Sequence, residues 1–308
     1  MRQATAGRRN EGARTADLLP LLVLAVIWGG SLPAIKLGLG GIPPLTLTFL
    51  RYLCAAPLFV WSLRGAWPAV RRAWRPLAAL ACLNAIPGQM LQTLGLHYTT
   101  ATAGTLLTST IPLWFVLLGS RRLGQRLGAR AVIGLAAAAL GVGVIAVGDP
   151  LRISDLWRSG LLLGNALELL SAVCVALYYA LSADVARSVS PLVAAGGTSV
   201  LALPFLLPFS LWELGRAPVH LTALGIGVVL YLGVGVTWLG LQIWLQSLQR
   251  VPAAIAGALQ YLQPVVGVSL AALILGEAIR RSVVFGAVLV LVGIALATRR
   301  PASSSDSG

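Results

Sequence analysis

Charge is what this sequence has least of. Only 10% of its 308 residues are Asp, Glu, Lys or Arg, whereas soluble domains carry about 25% charged residues. A water-soluble protein of this length could not cover its surface with so few charged side chains. The hydrophobic fraction of 57% and the mean hydropathy of +0.86 agree. The composition therefore excludes a soluble globular protein and predicts a polytopic membrane protein.

Residues that build reactive centres are also scarce. The three cysteines, Cys54, Cys82 and Cys174, lie far apart within apolar runs, so their spacing favours neither a disulfide framework nor a metal site. The two histidines, His97 and His220, belong to no His-Glu-x-x-His motif, and the chain has no Gly-x-Ser-x-Gly motif and no Walker loop. We therefore predict no catalytic residue, no metal and no cofactor, and no ATP-driven activity.

The basic residues are unevenly chosen and unevenly placed. Lys36 is the only lysine, and arginines supply the rest of a net charge of +14. They stand in short clusters between apolar runs, which is typical of helix ends that face the cytoplasm and anionic lipid. They do not form the continuous basic groove that a polyanion needs. The pattern predicts contact with the lipid bilayer and no binding of nucleic acid.

Ten apolar segments are long enough to cross a membrane, which takes about 20 residues. They are approximately 17–37, 45–63, 76–97, 101–119, 130–148, 159–182, 191–211, 222–246, 251–275 and 282–298. Each must be a helix because lipid offers no partner for an open backbone amide. With the N-terminus inside, the cytoplasmic ends collect sixteen arginines against five outside. The positive-inside rule then places both termini in the cytoplasm.

The two halves of the chain repeat one another. Pro44, Ala55 and Pro57 recur 147 residues later as Pro191, Ala202 and Pro204. Gly88, Pro112, Gly124, Gly134 and Gly141 recur 152 residues later as Gly240, Pro264, Gly276, Gly286 and Gly293. Five helices is an odd number, so the second copy must be inverted relative to the first, a plan common in secondary transporters.

The repeat sets the predicted domain organisation. Residues 1–16 form an N-terminal tail, 17–148 the first repeat, 159–298 the second repeat and 299–308 a C-terminal tail. The predicted fold is an all-α integral membrane protein with ten transmembrane helices in two inverted five-helix repeats.

Several local patterns are similar to those of a known family. They are Trp28-Gly29-Gly30-Ser31 through Lys36, Pro44 through Arg51-Tyr52, Leu94 through Tyr98, and Pro264 to Gly276-Glu277. Together with the ten spans and the repeat, they resemble the drug/metabolite transporter superfamily, in particular its EamA-type ten-helix members. The stretch from Pro112 to Gly124-Gln125 departs from the pattern by carrying Gln where Glu is usual. The resemblance implies a solute carrier, often an exporter of amino acids or related metabolites.

Polar and aromatic residues within spans are the candidates for a solute cavity, because such residues tend to face the interior of a bundle. The candidates are Trp28, Asn84, Gln89, Gln92, Thr105, Ser109, Trp238, Gln242, Gln260, Tyr261 and Gln263. Pro112 and Pro264 are candidate helix breaks, since a proline frees a carbonyl one turn earlier. The alternative is that these residues serve helix–helix hydrogen bonding and packing.

Three charged residues fall inside predicted spans. Lys36 either extends to the interface or offers a titratable amine near the transport route. Arg51 and Glu168 lie at a similar predicted depth and have opposite charge, which suggests an ion pair across the repeat interface. The alternative is that Arg51 reaches upward to water while Glu168 is protonated.

The sequence thus predicts a multi-pass protein of the plasma (inner) membrane. Its predicted function is secondary, non-ATP transport, in particular export, of a small polar metabolite such as an amino acid. The alternative is a membrane-embedded enzyme or a non-transporting partner subunit. An enzyme should carry catalytic carboxylates, His or Cys clustered at helical spacing, and this sequence has no such cluster. The expected partner is a small-molecule solute, and homodimerisation is left open.

Overall fold

The computed structural model describes residues 15–122, 129–147, 160–251, 259–260 and 262–298, and the regular elements in this part of the chain are helices. The first half contains α1 Thr15–Gly29, α2 Ser31–Gly38, α3 Pro44–Ser62, α4 Trp67–Arg72, α5 Trp74–Leu83, π1 Asn84–Met90, α6 Leu91–Tyr98, α7 Ala101–Thr108, α8 Ile111–Arg122 and α9 Ala129–Val147. The second contains α10 Leu161–Val185, α11 Pro191–Leu201, α12 Leu203–Leu214, α13 Ala223–Leu230, π2 Tyr231–Leu239, α14 Gly240–Arg250, α15 Leu262–Leu275 and α16 Arg281–Thr298. Here π marks a π-helical segment.

Six continuous helical stretches in the described ranges are long and apolar enough to cross a membrane. They are Leu18–Gly38, Pro44–Ser62, Trp74–Tyr98, Leu161–Val185, Pro191–Leu214 and Ala223–Ser247. Three shorter apolar helices cover Val132–Ile145, Leu262–Leu275 and Arg281–Gly293. The helical, apolar architecture expected of a multi-pass membrane protein is therefore present, while the tails lie outside the described residues apart from 15 and 16.

Prolines account for several interruptions of the helices. Pro112 lies in the first turn of α8, and α7 ends at Thr108, followed by a turn at Ser109 and Thr110, because a proline ring clashes with the carbonyl one turn earlier. Pro87 falls inside π1. Pro264 likewise lies in the first turn of a helix, α15, which begins at Leu262.

Glycines set the closest helix contacts. A methyl group added at Gly141 of α9 would lie 2.6 Å from the carbonyl oxygen of Gly286 in α16. The two backbones can approach this closely only because neither residue has a side chain, the device that drives many helix pairs in lipid. In this way α9, the last described helix of the first half, packs along α16, the last described helix of the second half.

Helices of the first half pack mainly on helices of the second. The first helix, α1, packs against α14 and α15, whereas α10, the first helix of the second half, packs against π1, α6, α7 and α8. Helix α3 lies against α12 and π2. These contacts bring α3, π1, α7, α10 and π2 around one interior region.

Candidate functional site

Arg51 lies at the meeting point of three helical elements. Its Nε donates to the Thr237 hydroxyl in π2 at 2.7 Å, and one terminal nitrogen donates to Oε1 of Gln89 in π1 at 3.0 Å. The Thr237 hydroxyl in turn donates to the carbonyl oxygen of Leu232, five residues earlier. A π-helical turn offers groups that an α-helix would use internally, which is why such turns are frequent at functional sites.

Glu168, in α10, belongs to a second group of hydrogen-bonded side chains. Its side chain is fully buried, and its Oε2 accepts a hydrogen bond of 3.2 Å from the Thr108 hydroxyl at the end of α7. That hydroxyl also accepts from Nε2 of Gln92 at 3.4 Å. Gln89 and Gln92 lie three residues apart and so face one side of the same helix. We call Arg51, Thr237, Gln89, Gln92, Thr108 and Glu168 the central polar network.

The hypothesis of a direct Arg51–Glu168 ion pair is wrong for this conformation. The hydrogen bonds of Arg51 go to Thr237 and Gln89, and that of Glu168 comes from Thr108. The physical reason is that each charge has a neutral partner on another helix, Gln89 and Thr237 for Arg51 and Thr108 for Glu168. The two charges belong to separate groups of hydrogen bonds and do not touch.

Three predicted cavity residues make hydrogen bonds between helices. The indole nitrogen of Trp28 donates to the carbonyl oxygen of Val236 at 3.0 Å, and that of Trp238 donates to the Ser62 hydroxyl at 3.0 Å. The amide of Asn84 donates to the Tyr52 hydroxyl at 3.2 Å. In this conformation these side chains connect helices, as the packing alternative expects.

The polar face of α7 is only partly satisfied. The Ser109 hydroxyl donates to the carbonyl oxygen of Thr105 at 2.7 Å. Thr105 itself is buried against Gly267 of α15, and its hydroxyl has no hydrogen-bond partner among the described residues. The hydroxyl of Thr102, one turn earlier, is also unpartnered in this part of the chain.

The remaining candidates lie on the eighth and ninth predicted spans. Gln263 donates from its side-chain amide to that of Gln260, and both are half-buried. Gln242 is half-buried in α14. Tyr261 lies outside the described residues.

A second group of charged side chains closes one end of the bundle. Glu277 accepts hydrogen bonds from the backbone amides of Ala101 and Thr102, at 2.7 and 2.8 Å, at the start of α7. Lys36 donates to the carbonyl oxygens of Leu96 and Thr99, both at 2.6 Å, at the end of α6. An anion at a helix N-terminus and a cation at a C-terminus both complement the helix dipole.

Glu213 caps the N-terminus of α3 as Glu277 caps that of α7. Its two oxygens accept from the backbone amides of Leu45 and Thr46 at 3.2 and 2.7 Å, and the Thr46 hydroxyl donates to it at 2.8 Å. Nearby, the backbone amide of His220 donates to the carbonyl oxygen of Gly41 at 2.8 Å. We call this part of the bundle, with Lys36, Glu213 and Glu277, the clamped end.

Sequence reasoning gave no role to Glu213 and named Glu277 only as part of the Pro264 to Gly276-Glu277 pattern. The sequence does show that caps are needed, though not which residues supply them, since α3 and α7 have no acidic residue in their first turn and Thr100 caps only the Ala103 amide of α7. A pocket of about 1020 Å³ also opens at this end, between Tyr98, Trp212, Glu213 and His220. None of the predicted cavity residues lines it.

Comparison with known proteins places this architecture in a family. The model of the EamA-like transporter family matches the chain twice, at residues 16–147 and 160–299. The chain therefore belongs to the EamA-like transporter family, and the resemblance seen in its motifs is confirmed.

Relatives extend over nearly the whole chain. An uncharacterized transporter of Archaeoglobus fulgidus is 26% identical over 94% of this chain and 98% of its own length. A probable terminal-alkyne amino-acid exporter of Streptantibioticus cattleyicolor is 30% identical over 91% of this chain and 92% of its own. A probable amino-acid metabolite efflux pump of Salmonella typhimurium is 28% identical over 92% and 94%. A solved crystal structure at 20% identity shares the fold, with a TM-score of 0.63 over 93% of this chain and 97% of that one.

Proposed function

We propose that this protein is a secondary transporter that exports a small polar metabolite of the amino-acid type across the plasma membrane. The observation that carries the proposal is the central polar network, which puts a half-buried guanidinium and a buried carboxyl where helices of the two halves meet. Buried charges within spans are expensive and mark solute or proton pathways. Relatives named as amino-acid exporters support the substrate class.

The proposed topology has ten membrane helices in two inverted repeats, with both termini in the cytoplasm and the clamped end outside. Support comes from the packing, since the first helix of each half lies against later helices of the other. The π-helical segments π1 and π2 also occupy the third span of each half. A C-terminal fluorescent fusion should then fluoresce, and an alkaline phosphatase fusion there should be inactive. An active phosphatase fusion would overturn the even number of spans.

Arg51 is the residue we propose for the substrate carboxylate. Its second terminal nitrogen makes no hydrogen bond to any described residue, while Thr237 and Gln89 hold the rest of the guanidinium in place. A guanidinium held in this way offers further donors to a carboxylate. Neutral polar groups are proposed to complete the solute route, namely Gln89, Gln92, Thr105, Ser109 and the half-buried glutamines Gln242, Gln260 and Gln263. Its walls are proposed to be Trp28, Trp238, Asn84 and Tyr261.

Counterflow in proteoliposomes tests the proposal. Vesicles loaded with unlabelled amino acids should accumulate the same labelled amino acid transiently, and protein-free vesicles should not. If Arg51 holds the carboxylate, amino-acid amides should compete poorly with the parent amino acids. Accumulation equal to that of protein-free vesicles for every amino acid tried would exclude this substrate class.

Two further variants distinguish residues that line the solute route from residues that only pack helices together. We expect Gln260→Leu and Trp238→Ala to reduce counterflow while the yield of folded protein, measured by fluorescence-detected size exclusion, stays near the wild-type yield. A fall in folded protein in step with the activity would assign both residues to packing instead.

A further inference from the structure

Glu168 has an oxygen with nothing to bind. Its side chain is fully buried, Thr108 occupies Oε2, and Oε1 has no hydrogen-bond partner among the described residues. An ionised carboxylate normally gathers several donors, because an unpaired buried anion is very costly. The two other buried or half-buried glutamates, Glu213 and Glu277, satisfy this rule with backbone amides on both oxygens.

Two glycines, Gly95 and Gly104, let helix backbones pack closely around Glu168. A methyl group at Gly104 of α7 would lie 3.4 Å from Oε1, and one at Gly95 of α6 would lie 3.1 Å from the Glu168 Cγ. The carboxyl is therefore enclosed by helix backbone on two sides. In this conformation it is closed to both ends of the bundle.

No described cation reaches Glu168. The elements packed against α10 are α5, π1, α6, α7, α8, α9 and α11. Their titratable residues are Arg75 and Cys82 on α5, His97 and Tyr98 on α6, Arg121 and Arg122 on α8, and Arg130 on α9, and α10 itself carries Cys174, Tyr178, Tyr179 and Asp184. The side chains of the three arginines on α8 and α9 lie outside the described residues, and none of the other groups forms a hydrogen bond or an ion pair with the carboxyl. Lys36 and Arg51 are bound to carbonyl, amide and hydroxyl oxygens.

We propose that Glu168 is a proton-binding site, and that the proton it carries drives the export inferred above. The inference rests on the proposed function, and it adds the coupling ion and the residue that holds it. The hydrogen-bond chain from Gln92 through Thr108 fixes Oε2, and the free Oε1 receives the proton. A bound proton removes the buried charge and lets the carboxyl be enclosed without a cation.

The cycle moves one proton inward for each turnover of the site. When the site opens outside, a hydronium ion gives its proton to the Glu168 carboxylate and leaves as water. The neutral acid is then enclosed as in the present structure. When the site opens to the cytoplasm, the acid gives the proton back to water and the carboxylate is restored, and the solute leaves in the opposite direction.

Transport of a labelled amino acid into vesicles measures this proton coupling directly. Wild-type vesicles should accumulate a labelled amino acid against its gradient when the proton gradient is imposed in the driving direction, and an ionophore that collapses the gradient should abolish this. Glu168→Gln should lose the gradient-driven accumulation, and whatever exchange it retains should no longer depend on pH. Glu277→Gln is the matched control, which removes a carboxylate with a capping role and should still respond to the gradient. Gradient-driven accumulation by Glu168→Gln equal to that of the wild type would overturn the proposal.

A substrate-free measurement separates this inference from the substrate class. Infrared difference spectra of the purified protein, recorded between acidic and alkaline buffer, should contain one protonated-carbonyl band that is present in the wild type and in Glu277→Gln and absent from Glu168→Gln. If the wild type exchanges no amino acid but shows this band, the substrate class fails while the proton site stands. If Glu168→Gln has the same carbonyl bands as the wild type, the proton site fails.

A gentler variant guards against misfolding of Glu168→Gln. Thr108→Val removes the hydroxyl that donates to Oε2 and should shift the pH dependence of the band and of exchange. Thr48→Val removes a buried hydroxyl that donates to the carbonyl oxygen of Pro44 in α3, and it should leave both unchanged. Identical pH profiles for the wild type and Thr108→Val would contradict the assignment.

Discussion

Two regions of this molecule treat a glutamate in opposite ways. At the clamped end, Glu277 and Glu213 each receive two backbone amides from a helix N-terminus of the first half. In the central polar network, Glu168 receives one hydroxyl and keeps one oxygen unpaired. The difference teaches that burial alone does not define a functional carboxylate. The number of donors that surround it separates a structural cap from a group free to exchange a proton.

The basic residues follow the same division. Lys36 donates to two carbonyl oxygens at the end of α6, which is where a cation stabilises a helix. Arg51 is held on two sides and keeps a terminal nitrogen without a described partner. The clamped end therefore joins helices, while the interior retains unused donors and acceptors for transient ligands.

The largest effect should follow from filling the contact that encloses Glu168. A methyl group at Gly95 would lie 3.0 Å from the Gly164 carbonyl oxygen, so Gly95→Val forces α6 and α10 apart. Overpacking of this kind costs about 1–3 kcal/mol, and we expect most of the folded protein to be lost in size-exclusion profiles. Gly143→Val, whose added Cβ would have no neighbour within 4 Å, is the control. Equal yields for the two variants would mean that the helices are not packed as described.

Removal of the interior cation should rank next. Arg51→Met leaves the half-buried Gln89 and Thr237 without their charged donor, and each hydrogen bond to a charged group contributes about 1.5–3 kcal/mol. Counterflow should disappear even in the fraction that folds, because the proposed carboxylate ligand is gone. Arg51→Lys retains the charge but loses the fork of donors and should recover only part of the activity. Full activity of Arg51→Met would remove Arg51 from the route.

Uncapping a helix at the clamped end should have a moderate effect. Glu277→Gln replaces a charged cap of α7 by a neutral one, and a lost cap costs about 0.5–2 kcal/mol. We expect a lower melting temperature in detergent with transport retained, and the same for Glu213→Gln at α3. Loss of transport at unchanged thermal stability would instead give these carboxylates a role in coupling.

The smallest effect should be the coupling between the two interior charges. Since Arg51 and Glu168 do not touch, the charge swap Arg51→Glu with Glu168→Arg should not restore folding or transport. Residues without a shared contact usually add within about 0.3–0.5 kcal/mol. A double-mutant cycle on thermal stability measures this additivity. Recovery of folding or transport in the swapped protein would support a direct ion pair instead.

Much of the fold follows from the sequence because lipid restricts what a backbone can do. Apolar runs such as Pro44–Ser62 had to be helices, and the structure has them within a few residues of the predicted bounds. Proline chemistry likewise predicted the break before Pro112. The family followed from short motifs spread over both halves, and its model matches both.

The partners of each polar side chain could not be predicted in the same way. The position of Arg51 and Glu168 within their spans gives their depth. The rotation of each helix depends on contacts such as Gly95 with Gly164, which are set by tertiary packing. The predicted ion pair failed because other helices supplied neutral partners, Gln89 for Arg51 and Thr108 for Glu168. The caps by Glu213 and Glu277 link residues about 170 positions apart, as in the pair Thr46 and Glu213, and no local pattern encodes such a contact.

The contrast between the two kinds of glutamate is tested most directly by proton flux. Vesicles containing a pH-sensitive dye should register proton movement when an amino acid is added on one side to the wild type, to Glu213→Gln and to Glu277→Gln. The account predicts that Glu168→Gln alone gives no proton movement while it remains folded. Proton movement in Glu168→Gln at the wild-type rate, or its loss in all three variants alike, would contradict the account.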